Sequence, residues 1–381
     1  MKQISRAELI GWQMAPEMVA WFDQRFPRRI ERYQHVLDAL AREDRCTWAN
    51  QLMDRAGADP DRSVGFAMEE RVRHVFAAGT LSTPGSIRVN GFVRVAGDIE
   101  IGHSLRADAG ISCEGSVATG GSIQTDGCLT IRGGSKVGGS VVALKGIVVR
   151  DDLTAEEDIV TEAGDIDAEG RLEAGGTIFA AGFVRAASIS AEQGLFAATD
   201  VVVQGGLECG GDVRIGGDLG AMRRKLLPHV EVKGDLLVDG NAICEAVIRA
   251  NRIQIGRSLR CARWIASESD VIVAGNLTAN GRVSSWHGHI RVGGDFTAHG
   301  RVLAGRDVVV VGEIRLDPAA ALLAGTIVAP DDWAREGRVI VPVRPDRMLT
   351  GIWMATEPGY DSGDAGADRP PPVPSSTDDS V

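Results

Sequence analysis

The stretch IEIGHSLRADAGISCEGSVATGGSIQTDGCLTIRGG, residues 99–134, has an aliphatic residue at every sixth position. These positions are Ile99, Leu105, Ile111, Val117, Ile123 and Leu129. The same spacing runs from Leu81 to Ile314, interrupted by single-residue changes of frame and by a longer insertion after Leu219. Self-similarity sustained over about 39 short units is typical of a repeat architecture.

A second, usually smaller residue follows two positions after each aliphatic one, as at Ala107 and Cys113. Residues two apart on a strand point to the same face, so both are expected to point inward. Glycine often follows two positions later, as at Gly115, where it tolerates positive φ and places no side chain at a corner. Each unit is thus predicted to be a short strand and a bend, with about 18 residues in three units closing one triangular coil. The sequence predicts a mainly β, single-stranded β-solenoid of about 13 coils over residues 63–317.

Residues 1–62 differ in composition and predict a small helical head. Ser5 and Glu8 form a capping-box pattern, and Pro16 suits a first helical turn. Apolar residues then recur at helical spacing, and the segment CTWANQLMDRAG, residues 46–57, ends at a glycine. We expect three or four short helices packed on their aromatic residues.

The composition disfavours several classes of function. The net charge of −11 argues against non-specific binding to nucleic acid or anionic lipid. No run approaches eighteen apolar residues, so no transmembrane segment is expected, and the N-terminus lacks the apolar core of a secretory signal. Six cysteines without CxxC spacing indicate a reduced, cytoplasmic protein. No catalytic residue, metal site or cofactor is expected.

The repeat resembles that of the bactofilins and related polymer-forming β-helix proteins. The units that carry the resemblance include GGDVRIGGDL, residues 210–219, and VGGDFTAHGRVLAGRDV, residues 292–308. The resemblance covers roughly residues 75–316. It implies a right-handed solenoid, a scaffold role and end-to-end assembly, and it transfers no catalytic residues.

One predicted outer face of the solenoid carries an unusual apolar run. With three units per coil, the residues just after the inward aliphatic positions of one face include Val142, Val160, Phe179 and Phe196 in consecutive coils. Monomers rarely expose such patches, so we predict a contact surface for another copy of the chain or for the helical head. The alternative is that these residues only favour the strand conformation.

Another candidate site lies where the frame breaks. The insertion GAMRRKLLPH, residues 220–229, carries Arg223, Arg224 and Lys225 beside two leucines. A loop projecting from a rigid scaffold often carries function, so an acidic partner is one interpretation of this loop and a solvated surface is the other.

The repeat fades at its C-terminal end. Residues 318–356 are predicted to cap the last coil, because open sheet edges must be covered or used. Residues 357–381 are acidic and rich in proline, which predicts a disordered tail.

The leading functional hypothesis is a non-enzymatic scaffold that associates with itself or presents surfaces to another protein. One alternative is an acyltransferase-like enzyme with a histidine between coils, although the hexads have the wrong phase for that family. Another is an acidic mimic of DNA or an inhibitor of a partner, although the glutamates on a second outer face (100, 173, 208 and 231) are sparse.

Overall fold

Three long parallel sheets wind around one shared interior. The computed structural model describes residues 2–60, 63–65, 70–222, 229–325 and 337–355. Within these residues, two of the sheets hold 16 strands each and the third holds 14. The chain visits the three sheets in turn and then stacks the next strand on the first sheet, so each sheet forms one face of a prism. The predicted triangular β-solenoid is confirmed.

All three faces are built from strands of three or four residues. Face 1 consists of Ser63–Gly65, Thr80–Thr83, Ile99–Ile101, Val117–Thr119, Ser135–Val137, Leu153–Ala155, Arg171–Ala174, Ser188–Ala191, Leu207–Cys209, His229–Val232, Val247–Ala250, Ile265–Ser267, Val283–Ser285, Val302–Ala304, Leu322–Ala324 and Met348–Thr350. Face 2 consists of Glu70–Val72, Ile87–Val89, Leu105–Ala107, Ile123–Thr125, Val141–Ala143, Ile159–Thr161, Thr177–Ala180, Gly194–Ala197, Asp212–Ile215, Asp235–Val238, Arg252–Ile255, Val271–Val273, Ile290–Val292, Val308–Val310, Arg338–Ile340 and Ile352–Met354. Face 3 consists of Val75–Ala77, Phe92–Val95, Gly110–Cys113, Cys128–Ile131, Gly146–Val149, Asp165–Ala168, Val184–Ala186, Val201–Val203, Leu219–Ala221, Ala242–Cys244, Leu259–Cys261, Leu277–Ala279, Phe296–Ala298 and Ile314–Leu316.

Neighbouring strands on a face are in parallel register, and this register gives the length of a coil. Leu105 pairs with Ile123, the spacing of 18 residues that the hexads predict. Where the sequence gains a residue, Ile147 pairs with Ile166. Where the sequence loses one, Ile178 pairs with Leu195. The corners therefore absorb each change of frame, and the inward side chains stay in line.

Inward side chains fill the space between the three faces. Strands alternate buried and more exposed residues, as Ile99, Glu100 and Ile101 do. The buried residues form one continuous cluster that begins at Val75 and ends at Val341. Burying one such aliphatic side chain is worth roughly 1.5–3 kcal/mol, so the stacked rows hold the rod together along its whole length.

A polar residue directly before the inward aliphatic position stabilises many corners. Its side chain accepts a hydrogen bond from the backbone N–H of the equivalent residue one coil further on. Between faces 2 and 3, an unbroken column of these bonds at 2.6–3.2 Å joins Asp200, Asp218, Asn241, Ser258, Asn276, Asp295 and Glu313. Between faces 1 and 2, a second column at 3.1–3.3 Å joins Ser86, Ser104, Ser122 and Ser140.

Glycine recurs at the corner between faces 3 and 1 because successive backbones touch there. A Cβ on Gly133 would lie 2.8 Å from the carbonyl of Gly115 and from the nitrogen of Ser116. A Cβ on Gly115 would come equally close to Gly97. None of these three glycines has a positive φ. Close approach of the backbones, and not backbone conformation, therefore requires glycine at these corners.

The N-terminal residues form four helices and a short antiparallel strand pair. The helices are α1 (Arg6–Gly11), α2 (Pro16–Arg25), α3 (Tyr33–Arg42) and α4 (Cys46–Ala56), and the strands are Gln3–Ser5 and Ile30–Arg32. The predicted capping box is present, since Ser5 and Glu8 bond to each other's backbone N–H. Aromatic side chains pack in the centre, with Trp21 and Phe26 edge to face at 5.8 Å.

The helical head docks on the outer side of face 3 at the first coils. Phe76 and Ala78 of the solenoid belong to the buried core of the head. The Gln34 amide donates to the Phe76 carbonyl at 2.6 Å and accepts from the Ala78 N–H at 2.8 Å. Arg94, one coil further on, donates to the Asn50 side chain at 3.0 Å and pairs with Asp54. The described part of the head therefore lies on face 3 and leaves the apolar run of face 2 uncovered, contrary to one of our expectations.

Residues 318–355 extend two faces beyond the last strand of face 3. They add two strands to face 1 and two to face 2, and together with the strands at 63–72 they make the rod longer than the about 13 coils expected. The last strand is open to solvent, with Ile352 49%, Trp353 38% and Met354 44% exposed. The predicted tail, residues 357–381, lies outside the described residues.

Candidate interaction surface

Four apolar side chains form a continuous row on the outer side of face 2, which we call the ladder. The parallel register pairs Val142 with Val160, Val160 with Phe179, and Phe179 with Phe196. At a strand spacing of about 4.8 Å the row is about 14 Å long. The structure therefore brings together the four residues that the sequence analysis singled out.

The ladder is flat and accessible. Phe179 is 37% exposed, and the other three side chains are partly exposed. The Phe196 ring lies across Gly194, because a Cβ on that glycine would come within 2.9 Å of the ring. A larger residue at 194 would lift the ring away from the sheet, so glycine keeps the surface level.

Polar side chains bound the ladder at both ends. Before Val142, the Arg106 guanidinium donates to the Gln124 side chain at 3.3 Å. After Phe196, Arg214 follows in register, with its guanidinium carbon 5.8 Å from the centre of the phenyl ring. Asp212 lies 3.7 Å from the same guanidinium. The apolar surface is therefore a defined patch and does not extend along the whole face.

Carboxylates crowd the coils that carry the first half of the ladder. Residues 151–173 hold ten carboxylates and one arginine. Glu156 and Glu157 are exposed at the corner before Val160, and Glu162 is exposed at the corner after it. Two ladders facing each other directly would bring these like charges together, which is unfavourable.

The C-terminal third of the rod has the opposite charge. Residues 249–306 hold nine arginines and three carboxylates, although the whole chain has a net charge of −11. Arg249 lies 3.9 Å from Glu231 and 4.0 Å from Glu268. The rod therefore has an acidic band and a basic band at different heights along its axis.

The basic loop proposed from the sequence, Arg223, Arg224 and Lys225, lies outside the described residues. Its neighbours are described: Met222 is 50% exposed, and His229 Nε2 lies 2.8 Å from Glu208 Oε1.

Four of the six cysteines, Cys113, Cys209, Cys244 and Cys261, are buried at the small inward position of the repeat. Burial raises the pKa of the Cys113 thiol to about 12, so the reactive thiolate is scarce at neutral pH. Among the described histidines of the solenoid, His287 and His289 share one corner, whereas His74, His103 and His229 lie on other coils. His289 accepts the Asp307 N–H at 3.3 Å, and His299 lies 3.4 Å from Asp317.

A cluster that the sequence analysis did not find joins the head to the first coil. The potential ligand atoms of Asp44, Cys46 and His74 all lie within 4.8 Å of one another. However, His74 Nδ1 accepts the Phe92 N–H at 3.2 Å, which places the proton on Nε2, 2.8 Å from Asp44. Arg73 occupies the other Asp44 oxygen at 2.7 Å. The donor set is thus engaged in hydrogen bonds that fasten the head, and it does not fit a metal ion.

No helix among the described residues is long and apolar enough to cross a membrane.

One segment of the chain matches a known protein family. Residues 1–57 match the family model described as the YdhT N-terminal domain. No curated protein and no solved structure matches the chain, and no bactofilin family is found. The chain is thus a parallel β-solenoid repeat protein whose N-terminal residues are similar to the YdhT N-terminal domain.

Proposed function

We propose that the protein is a non-enzymatic scaffold, a rigid rod that associates with a second copy of itself through the ladder on face 2. The observation that carries this proposal is the in-register row of Val142, Val160, Phe179 and Phe196, bounded by Gln124 and Arg214 and left uncovered by the described part of the chain. The resemblance of the repeat to bactofilins supports a polymer-forming role.

The repeat spacing favours another solenoid as the partner. Side chains on the ladder recur at about 4.8 Å, and another β-solenoid presents rows with the same spacing. The acidic and basic bands favour two rods displaced along their length, because that offset places residues 151–173 of one copy near residues 249–306 of the other. Contacts repeated along such an offset would produce an open assembly.

The test is to measure the mass of the full chain by light scattering after size exclusion and to image the same fractions by negative stain. The test variant is Phe179→Ser with Phe196→Ser. The matched control is Val148→Ser with Val202→Ser, which replaces two exposed residues of face 3 that are 43% and 36% exposed.

We expect oligomers from the wild type and the control, and monomers from the ladder variant with an unchanged circular dichroism spectrum. A monomeric wild-type chain at all concentrations would contradict self-association. Equal loss of oligomers in both variants would show that the ladder has no special role.

A further inference from the structure

A group of arginines that have no ion-pair partner among the described residues lies at the corner between faces 3 and 1. Arg263, Arg282 and Arg301 occupy this corner in three consecutive coils, and we call the group the arginine edge. The Ile265 N–H bonds to the Arg282 carbonyl at 2.8 Å, and the Val283 N–H bonds to the Arg301 carbonyl at 3.0 Å. The backbones of Trp264, Arg282 and Arg301 are therefore in register about 4.8 Å apart along the axis, and Arg263 directly precedes Trp264.

These three guanidinium groups are exposed, and across the described parts of the chain none of them pairs with a carboxylate. Two arginines nearer the N-terminus, Arg132 on this corner and Arg171 at the start of a face 1 strand, do have partners. Arg132 lies 2.6 Å from Glu114, and Arg171 lies 3.5 Å from Glu173. Like charges held this close repel one another, so the arginine edge favours an anionic partner.

The edge also carries an aromatic ring beside a shallow cleft. Ala262, Trp264, Asn280 and Gly281 line the cleft together with Arg263 and Arg282. The Arg282 guanidinium carbon lies 5.9 Å from the centre of the Trp264 ring. Arg260, exposed on the neighbouring strand of face 3, adds a further positive charge.

We propose that the arginine edge binds an acidic polypeptide segment, and that the segment it holds is the chain's own residues 357–381. That segment has six carboxylates and one arginine. An acidic polypeptide suits this site better than nucleic acid, because the rod as a whole is negative and would repel a long polyanion.

The position of the segment supports an intramolecular contact. The last described strand ends at Met354, and the arginine edge begins two coils earlier, about 10 Å along the axis. The residues from 355 to Asp368 can span about 45 Å when extended, more than this distance and the width of the prism require. Tethering gives an effective concentration in the millimolar range, so a weak charge contact is sufficient.

This proposal does not depend on self-association through the ladder. Of the basic band, Arg291 is exposed on the outer side of face 2, whereas Arg263, Arg282 and Arg301 lie on the opposite corner, so the two contacts use different arginines. In this proposal residues 357–381 occupy the arginine edge until a more acidic partner displaces them.

The test uses the full chain with Arg282→Lys, which keeps the charge and supplies an amine for carbodiimide coupling to a carboxylate. Mass spectrometry of the monomer fraction then identifies the coupled residue. Arg132→Lys is the matched control on the same corner, and there we expect coupling to Glu114.

We expect coupling of residue 282 to a carboxylate between residues 357 and 381 within one chain. Coupling between residue 282 and residues 151–173 in a covalent dimer would show that a second copy occupies the edge, and would overturn the assignment to the tail. Coupling to no carboxylate would show a solvated edge and would overturn the proposal as well.

A second measurement does not rely on cross-linking. A labelled oligoglutamate peptide is titrated into the wild-type chain and into a full-length variant with Glu357→Gln, Asp361→Asn, Asp364→Asn and Asp368→Asn. The variant tail keeps only Asp378 and Asp379 beside Arg369, so we expect it to release the edge and peptide binding to tighten about tenfold. Adding Arg263→Gln and Arg301→Gln should abolish this gain. Equal affinity of the wild type and the tail variant would overturn the proposal.

Discussion

Phe179 pairs in register with Phe196 on the adjacent strand of face 2, although the loss of one residue between them shortens that coil to 17 residues. The same strand pairs Phe179 with Val160 on its other side. The deletion is absorbed at a corner, so the outward residues remain aligned as well as the inward ones. This alignment converts four residues scattered over 55 positions of sequence into one apolar surface.

The opposite charges of residues 151–173 and 249–306 predict that salt weakens self-association. Raising sodium chloride from about 0.05 to 0.5 M shortens the Debye length from roughly 14 to 4 Å and screens the attraction between the two bands. Light scattering at fixed protein concentration should show the average mass falling. A mass that rises with salt would instead indicate that acidic bands face each other across the contact.

The corner column between faces 2 and 3 predicts a local loss of stability for Asn276→Ala. The Asn276 side chain accepts the Asp295 N–H at 2.8 Å, and the alanine leaves that donor without a protein partner. We expect a cost of about 1–2 kcal/mol. Hydrogen exchange of the Asp295 amide measures this loss of local stability directly, because coils of a solenoid can open locally.

Asn276→Asp is the matched control, because a carboxylate accepts the same hydrogen bond. Unchanged exchange at Asp295 in Asn276→Ala would show that solvent replaces the side chain without loss.

His289 predicts a pH dependence of stability. Burial, followed by the neighbouring Arg291, lowers the pKa of His289 below its ordinary value of 6.5. The folded chain therefore binds this proton less readily than the unfolded chain. Its contribution to the free energy of unfolding is complete above pH 6.5 and is lost as the pH falls through the lower folded pKa.

The variant His289→Asn isolates this contribution. Asparagine occupies the same hexad position, directly before the inward residue, at Asn241 and Asn276 on the corner between faces 2 and 3. It also retains an acceptor for the Asp307 N–H, which His289 now binds at 3.3 Å. Urea denaturation from about pH 7.5 to 5 should show a shallower loss of stability in the variant, since other titrating groups are common to both chains. Parallel curves for the two chains would exclude His289 as the source.

The thiols should differ sharply in reactivity. Cys128 is exposed and Cys46 is partly exposed, whereas the other four are buried. Burial, and then the nearby Asp44, raise the pKa of Cys46, so it should react more slowly than Cys128. Mass spectrometry after brief alkylation of the native chain should find Cys128 modified first. Modification of Cys113 before unfolding would contradict the packed interior.

The sequence alone determined the solenoid. Each hexad has an aliphatic residue and a small residue two positions later, and only a stack of short strands buries every such pair. The observed register has this arrangement at Leu105 and Ile123, and it keeps it through the changes of frame. The ladder was predictable for the same reason, because the position after each inward residue points outward. The helical head was visible in its capping box and its aromatic spacing.

The tertiary structure alone decided how non-repeating parts meet the repeat. No periodicity indicates that Phe76 becomes part of the core of the head, or that Asp44 and His74 fasten the two parts together. Those contacts join residues about 30 or more positions apart in sequence. Their position depends on the shape of two packed surfaces, which no local pattern encodes.

The arginine edge was also hidden in the sequence. A change of frame separates Arg282 from Arg301, and Arg263 stands one place earlier in its hexad than Arg282 does. Only the observed register shows that the three lie on one corner, where none has a carboxylate partner among the described residues. Burial fixes the inward positions because a slip of one residue would expose the core. Burial does not constrain the residues at the corners in this way. Charged corner residues can therefore be assigned to a common surface only from the observed stacking of the coils.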